Sequence, residues 1–169
     1  MAEGTDPRGR AMTTWLGLNA GHDDPRTADQ TALALYETLL FHAQVVCVHA
    51  VEDHHAMSFR LTDDPSENTV STLIERGYGV AVHNGSLQRL AGPEQLARGA
   101  LRAALAHRDR KEGRALRFPG QRSLRGRYGV SDILAFSAID EVLPHGVQSV
   151  DARGDLQPRF INGKLVLSL

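Results

Sequence analysis

Residues 44–61 read Gln44-Val45-Val46-Cys47-Val48-His49-Ala50-Val51-Glu52-Asp53-His54-His55-Ala56-Met57-Ser58-Phe59-Arg60-Leu61, and this run decides the fold. Residues 44–51 are few and dense in valine, which favours a buried strand over a helix. Met57, Phe59 and Leu61 alternate with Ser58 and Arg60, the pattern of a half-buried strand. Glu52-Asp53-His54-His55 then forms a tight turn or bulge between two paired strands. Side chains alternate across a strand. Val45, Cys47, His49 and Val51 therefore share one face of the first strand, and His54, Ala56, Ser58 and Arg60 share one face of the second. This second set is smaller and more polar than Met57, Phe59 and Leu61, as a ligand-facing sheet surface would be.

Upstream, residues 13–18 read as a strand stopped by the turn formers of 19–25, and Thr27 offers an N-cap for a helix over 28–42. Downstream, Ser66 or Asn68 caps a helix carrying Val70, Leu73 and Ile74, with Gly77 closing it. Residues 78–83 form the next strand, and Asn84-Gly85 turns a hairpin into 86–90. The order β-α-β-β-α-β predicts a ferredoxin-like antiparallel sheet with two helices on one face. Pro93 opens a further helix running to about residue 107, and residues 109–129 are expected as a basic loop or broken helix. Ser131 caps a helix over 132–143. Residues 147–150, 157–161 and 164–169 read as short strands, the last two joined by Asn162-Gly163. The expected class is α+β: a ferredoxin-like βαββαβ first half, an added helical segment and a C-terminal β-hairpin.

With 169 residues, 41% hydrophobic and 23% charged, the chain suits one globular domain over residues 11–169. Residues 1–10 have no apolar core and are expected as a disordered leader, not a secretion signal. No apolar run approaches the ~20 residues that cross a bilayer, so a cytoplasmic protein without membrane contact is expected. One cysteine excludes an internal disulfide. The net charge of −1 conceals an uneven distribution. From residue 98 to 127, nine arginines and Lys111 face only Asp109 and Glu112, a local balance of +8 against −9 for the remainder. Such a segment suits phosphate, carboxylate or nucleic acid, or else an internally paired basic face.

Three of the eight histidines, two adjacent carboxylates and the single cysteine fall between residues 47 and 55. Imidazole titrates near neutrality and is the commonest metal ligand. His49, Glu52, His54 and His83 are therefore the candidate catalytic groups. His49, Glu52 and His54 are the candidate ligands for a divalent transition metal, zinc or iron. The same groups serve a metal-free route by general acid/base catalysis. Arg60, Arg117 and Arg122 are candidates for binding an anionic group of the substrate. Cys47, inside an apolar strand, is expected to behave as a small buried hydrophobe. The spacing matches no specific zinc motif, and no nucleophile elbow or phosphate-binding loop occurs.

Residues 54–80, with their alternating strand, polar turn and Leu73-Ile74-Glu75-Arg76-Gly77-Tyr78, are similar in patterning to one module of the vicinal oxygen chelate enzymes. The resemblance covers fewer than thirty residues and has no recognisable partner module. It implies a metal-dependent dioxygenase or lyase with His54 as one ligand and Glu141 as an acidic one. The function expected from the whole sequence is a small-molecule enzyme, a lyase, isomerase or oxygenase, acting on an anionic substrate. The alternative is a nucleic-acid- or phosphate-binding protein using residues 98–127. The apolar C-terminal hairpin over residues 157–169 is expected either as core or as the contact of a homodimer.

Overall fold

The fold is that of a computed structural model describing residues 13–85 and 87–169; the leader expected over residues 1–10 lies outside the described residues. Strand β1 (Thr14–His22), helix α1 (Pro25–Thr38), strands β2 (Val45–Val51) and β3 (His54–Leu61), helix α2 (Glu67–Glu75) and strand β4 (Gly79–His83) follow one another as the sequence pattern requires. Helix α1 starts before Thr27 because the Asp24 carboxylate accepts from the Arg26 N–H, and Pro25 suits a first helical turn. Ser66 caps α2 by accepting from the Thr69 N–H at 3.1 Å. The four strands lie in the order β4-β1-β3-β2, each antiparallel to its neighbour.

The chain continues through β5 (Gln88–Ala91), α3 (Glu94–Arg108), β6 (Arg114–Arg117), β7 (Gly126–Gly129), α4 (Val130–Phe136), β8 (Glu141–Leu143), β9 (Ser149–Ala152), β10 (Arg159–Ile161) and β11 (Lys164–Ser168). The result is an α+β fold with a nine-stranded, mostly antiparallel sheet in the order β5-β4-β1-β3-β2-β6-β10-β11-β8, and a separate β7-β9 ribbon. Two expectations are corrected here. Residues 109–129 are not a loop or broken helix: they contain β6, a turn of 3-10 helix and β7. The helix expected over 132–143 is the short α4, followed by strand β8. Ser137 stops it. Its hydroxyl donates back to the Ile133 carbonyl at 2.7 Å and accepts from the Ile139 N–H, which turns the chain out of the helix.

Apolar residues separate by strand parity into two cores. Leu16, Leu18, Val46, Val48, Met57, Phe59 and Val80 face α1 and α2, which contribute Ala28, Ala32, Leu35, Val70 and Leu73. On the opposite face Val45, Cys47 and Ala115 join Phe118, Ile133, Ile139, Phe160, Leu165 and Leu167 of the second half. Strand β11 lies inside the sheet between β10 and β8 with Leu165, Val166 and Leu167 buried, which accounts for its apolar residues within one chain. Among the described residues no helix is long and apolar enough to cross a membrane.

The small, polar face of the sheet is covered by α3. This helix presents Ala97, Gly99, Ala100, Ala103, Ala104 and His107, all buried. Opposite them the sheet offers Gly17 and Gly79. A Cβ on Gly17 would meet the backbone carbonyl of Ala100, and one on Gly79 would meet the backbone of Leu96 and Ala97. Small residues on both sides let the helix approach closely, and this approach carries His107 down onto the strands.

Candidate active site

His49 and Ser58 are fixed by the sheet. They lie on the α3-facing side of β2 and β3, where Cys47 pairs with Ser58 and His49 with Ala56. His107 arrives from the last turn of α3. After α3 the chain turns through Arg110, at φ 52, and Gly113, at φ 126, before entering β6. Glu112 is thereby returned to the end of β2. A Cβ on Gly113 would press on the His49 ring, so only glycine leaves that ring its place.

These four groups form one unbroken chain. The Glu112 carboxylate lies 2.8 Å from His49 Nδ1, His49 Nε2 lies 2.6 Å from Ser58 Oγ, and Ser58 Oγ lies 2.8 Å from His107 Nδ1. Their chemistry orients it. A carboxylate only accepts, so His49 donates through Nδ1, and the Nε2 of the neutral ring accepts from the Ser58 hydroxyl. That hydroxyl has one proton, so its oxygen accepts from His107 Nδ1–H. The lone pair of His107 then sits on Nε2, which no group hydrogen-bonds among the described residues.

His49, Ser58 and His107 are 1%, 0% and 3% exposed, whereas the Glu112 side chain is about half exposed. Burial holds the His107 pKa well below the ordinary imidazole value, and His49, Arg60 and Arg110 reinforce the shift by charge repulsion. Burial also pushes the Cys47 thiol up, with the Glu112 charge adding to it, so Cys47 is a neutral thiol.

Beside the chain lies a cleft of about 380 Å³ whose lining includes Trp15, Arg60, His107, Arg108, Arg110 and Phe160. Arg110 is held by Asp140 at 2.6 Å and lies over the Phe160 ring at 5.3 Å; Arg108 is held by Asp109. Arg60 is exposed and has no carboxylate partner among the described residues. The cleft therefore combines aromatic walls, cationic groups and one buried base.

No protein-family model, curated protein or solved structure matches this chain.

The sequence-derived candidates meet different partners. His49 is at the centre of the chain. Glu52 is exposed in the β2–β3 turn at φ 56 and pairs with Arg102 at 2.7 Å. His54 accepts from Asn19 Nδ2 at 2.9 Å, and Asn19 also donates to the Leu96 carbonyl, tying β1 to α3. His83 accepts from Arg108 at 2.9 Å; burial and the Arg108 charge lower its pKa. Three strand spacings separate β4 from β2, about 14 Å, so His83 and His49 do not meet. Arg60 lines the cleft beside His107, whereas Arg117 and Arg122 line a different depression with Tyr36 and Phe118. Glu141 pairs with His145 and Lys164 on β8, at the far edge of the sheet from His54.

Residue pattern alone passed over Ser58, His107 and Glu112 as site members. Ser58 was legible by strand parity, on the face that also carries Arg60. His107 was legible as the polar end of the stripe Ala97, Ala100, Ala104, His107. Glu112 had no local signal, because only the tertiary return of the chain brings it to His49. A separate cluster involves Cys47: its sulfur and nitrogen atoms of His49 and His107 all lie within 4.8 Å of one another, and this group could hold a metal ion.

The depressed His107 pKa has a consequence for stability. In the unfolded chain His107 titrates near ~6.5. In the fold it stays neutral to lower pH, facing His49 and Cys47 on β2, Arg60 on β3, and Arg110 beyond α3. Below ~6.5 the unfolded state binds the proton first, so this contribution to stability is intact above that pH and is lost as pH falls. Urea titrations with chelator present, at steps between pH 7.5 and 5.5, are expected to show wild type losing up to about 1.4 kcal/mol per pH unit more than His107→Gln. Parallel slopes would mean that His107 takes its proton equally well in the fold.

Proposed function

We propose that this protein is a small-molecule enzyme that transfers protons to and from an anionic substrate held beside His107. The single observation that carries the reading is the continuous chain Glu112–His49–Ser58–His107, whose last member lines the cleft. As base, His107 takes a proton on Nε2 and passes the one on Nδ1 to Ser58. Ser58 passes its own proton to His49, and the positive charge comes to rest beside Glu112. The relay has an energetic purpose. A charge left on buried His107, among Arg60 and Arg110, is strongly disfavoured, whereas the same charge on His49 sits against a carboxylate. Run in reverse, the chain delivers a proton to the substrate. Isomerisation and elimination are the reactions such a group serves.

Glu112, His49 and Ser58 have the connectivity of a nucleophile triad. Ser58 is fully buried in mid-strand under α3, however, and no substrate reaches its oxygen. It acts as a proton carrier. The relay as drawn runs through hydrogen-bonded side chains alone, each passing or holding a proton. The β4-β1-β3-β2 order with α1 and α2 on one face supports reading the first half as ferredoxin-like.

Nucleic-acid binding draws no support from the basic segment. Seven of the nine arginines between residues 98 and 127 are held by carboxylates: Arg98 by Glu94, Arg102 by Glu52, Arg108 by Asp109, Arg110 by Asp140, Arg114 by Asp29, and Arg117 and Arg125 by Asp155.

The test is deuterium exchange followed by NMR. The protein is incubated in D₂O with carboxylic acids that carry an acidic C–H, such as 2-oxo, 3-hydroxy and unsaturated acids. Wild type is expected to exchange at least one class, and His107→Gln to be slower by about 10²–10⁴-fold. Wild-type exchange at the rate of buffer across the panel, or His107→Gln as fast as wild type, would sink the reading.

A further inference from the structure

We propose that Cys47, His49 and His107 form a binding site for a divalent d-block cation of the zinc class, with Ser58 or a water from the cleft as the fourth ligand. The ligand atoms come from two elements, alternate residues of β2 and the last turn of α3, and all lie within 4.8 Å of one another. All three residues are at most 3% exposed. Three features show a site whose geometry is already set.

His49 is backed by Glu112 on its far nitrogen. That is the carboxylate–imidazole arrangement that orients metal-ligating histidines, and it turns the Nε2 lone pair toward the cluster. Ser58 Oγ sits at the focus, 2.6 Å and 2.8 Å from the two ring nitrogens. Zinc–nitrogen bonds are about 2.0–2.1 Å, so if the hydroxyl turns aside the donors close in by less than an ångström. His107 also lines the cleft, so an ion entering there reaches the cluster past that one ring.

The donor set selects the ion. One thiolate and two imidazoles suit zinc and cobalt, and exclude magnesium and calcium, which take oxygen ligands. The carboxylate of an iron-type facial triad is missing, because Glu112 is engaged on the far side of His49. Binding releases the thiol proton of Cys47 to solvent, and the proton on His107 Nδ1 moves to the free Nε2 so that Nδ1 can ligate.

This proposal does not depend on the proton relay. The two share His49 and His107, yet a metal needs Cys47 and the relay needs Ser58. A bound ion takes the His49 lone pair that the relay uses, so the metal-loaded protein is expected to be inactive in deuterium exchange by that route.

Full-length protein stripped with chelator is titrated with Zn²⁺ alone and Co²⁺ alone. One ion per chain is expected, with a thiolate-to-cobalt charge-transfer band and the visible absorption of tetrahedral Co²⁺. Glu112→Gln is expected to weaken binding by about 10–100-fold. Cys47→Ala should remove the charge-transfer band and weaken binding further, while keeping the circular dichroism and deuterium exchange of the wild type. Ser58→Ala should retain the metal while losing exchange. His107→Gln serves as a second ligand variant should Cys47→Ala fold poorly. Failure of wild type to bind a stoichiometric ion, or a cobalt spectrum without the thiolate band, would overturn the proposal.

Discussion

Gly17→Ala is expected to destabilise the protein by about 3 kcal/mol, the upper end of the range for overpacking a core. The added methyl would lie 2.7 Å from the carbonyl carbon of Ala100 and closer still to its oxygen. This neighbour is helix backbone, so no side-chain rotation relieves the contact and α3 must lift from the sheet. Gly79→Ala acts on the same helix one strand away, against the backbone of Leu96 and Ala97. Once α3 has moved, the second clash is partly relieved, so the double variant is expected to lose less than the sum. Gly154→Ala is the control: nothing lies within 4 Å of the added carbon, and a change within about 0.5 kcal/mol is expected. Urea unfolding midpoints compare these four variants with wild type. A Gly17→Ala variant as stable as Gly154→Ala would show that α3 does not sit on the sheet as described. Because α3 carries His107, loss of this contact also separates His107 from Ser58.

The same contact explains what could be read from the sequence. Strand parity over residues 44–61 correctly placed Cys47 and His49 on one face, and Ala56, Ser58 and Arg60 beside them. A face of glycine, alanine and serine, however, reads alike whether a ligand or a close-packed helix covers it. The distinguishing signal lay forty residues away, in the alanine stripe of α3. His54 and Glu52 drew attention through local density. A turn gathers polar residues because its backbone and solvent exposure demand them, and there each found a structural partner, Asn19 and Arg102. Glu112 shows the limit most clearly. Its place is set by the left-handed backbone of Arg110 and Gly113, and nothing in its own neighbourhood in sequence points to His49. Strand β6 stayed hidden because its four residues, Arg114-Ala115-Leu116-Arg117, are too few to show a period. The arginines at its ends pair with Asp29 and Asp155, far away in the chain.

Ser58→Ala is expected to slow deuterium exchange by about 10²–10⁴-fold, as much as His107→Gln, although Ser58 never touches substrate. Without the hydroxyl, a proton accepted by His107 has no path to His49, and its charge remains buried among Arg60 and Arg110. Relay members act as a unit. The double variant Ser58→Ala/Glu112→Gln is therefore expected to be no slower than Ser58→Ala alone, because Glu112 contributes only through the link that Ser58 provides. Glu112→Gln by itself should fall between wild type and Ser58→Ala, since the amide keeps a hydrogen bond to His49 while losing the charge that stabilises its protonated form. Ser58→Ala also leaves His49 Nε2 and His107 Nδ1 unpaired in a buried site, a cost of about 1–3 kcal/mol, so its folded fraction must be verified by circular dichroism at the assay temperature. A purely structural role for Ser58 would give a different result. The rate would then track the folded fraction, and Glu112→Gln would slow the double variant by the same factor as it slows wild type. Additive effects in a fully folded double variant would mean that Glu112 and Ser58 serve His107 separately, and that the chain of hydrogen bonds carries no proton.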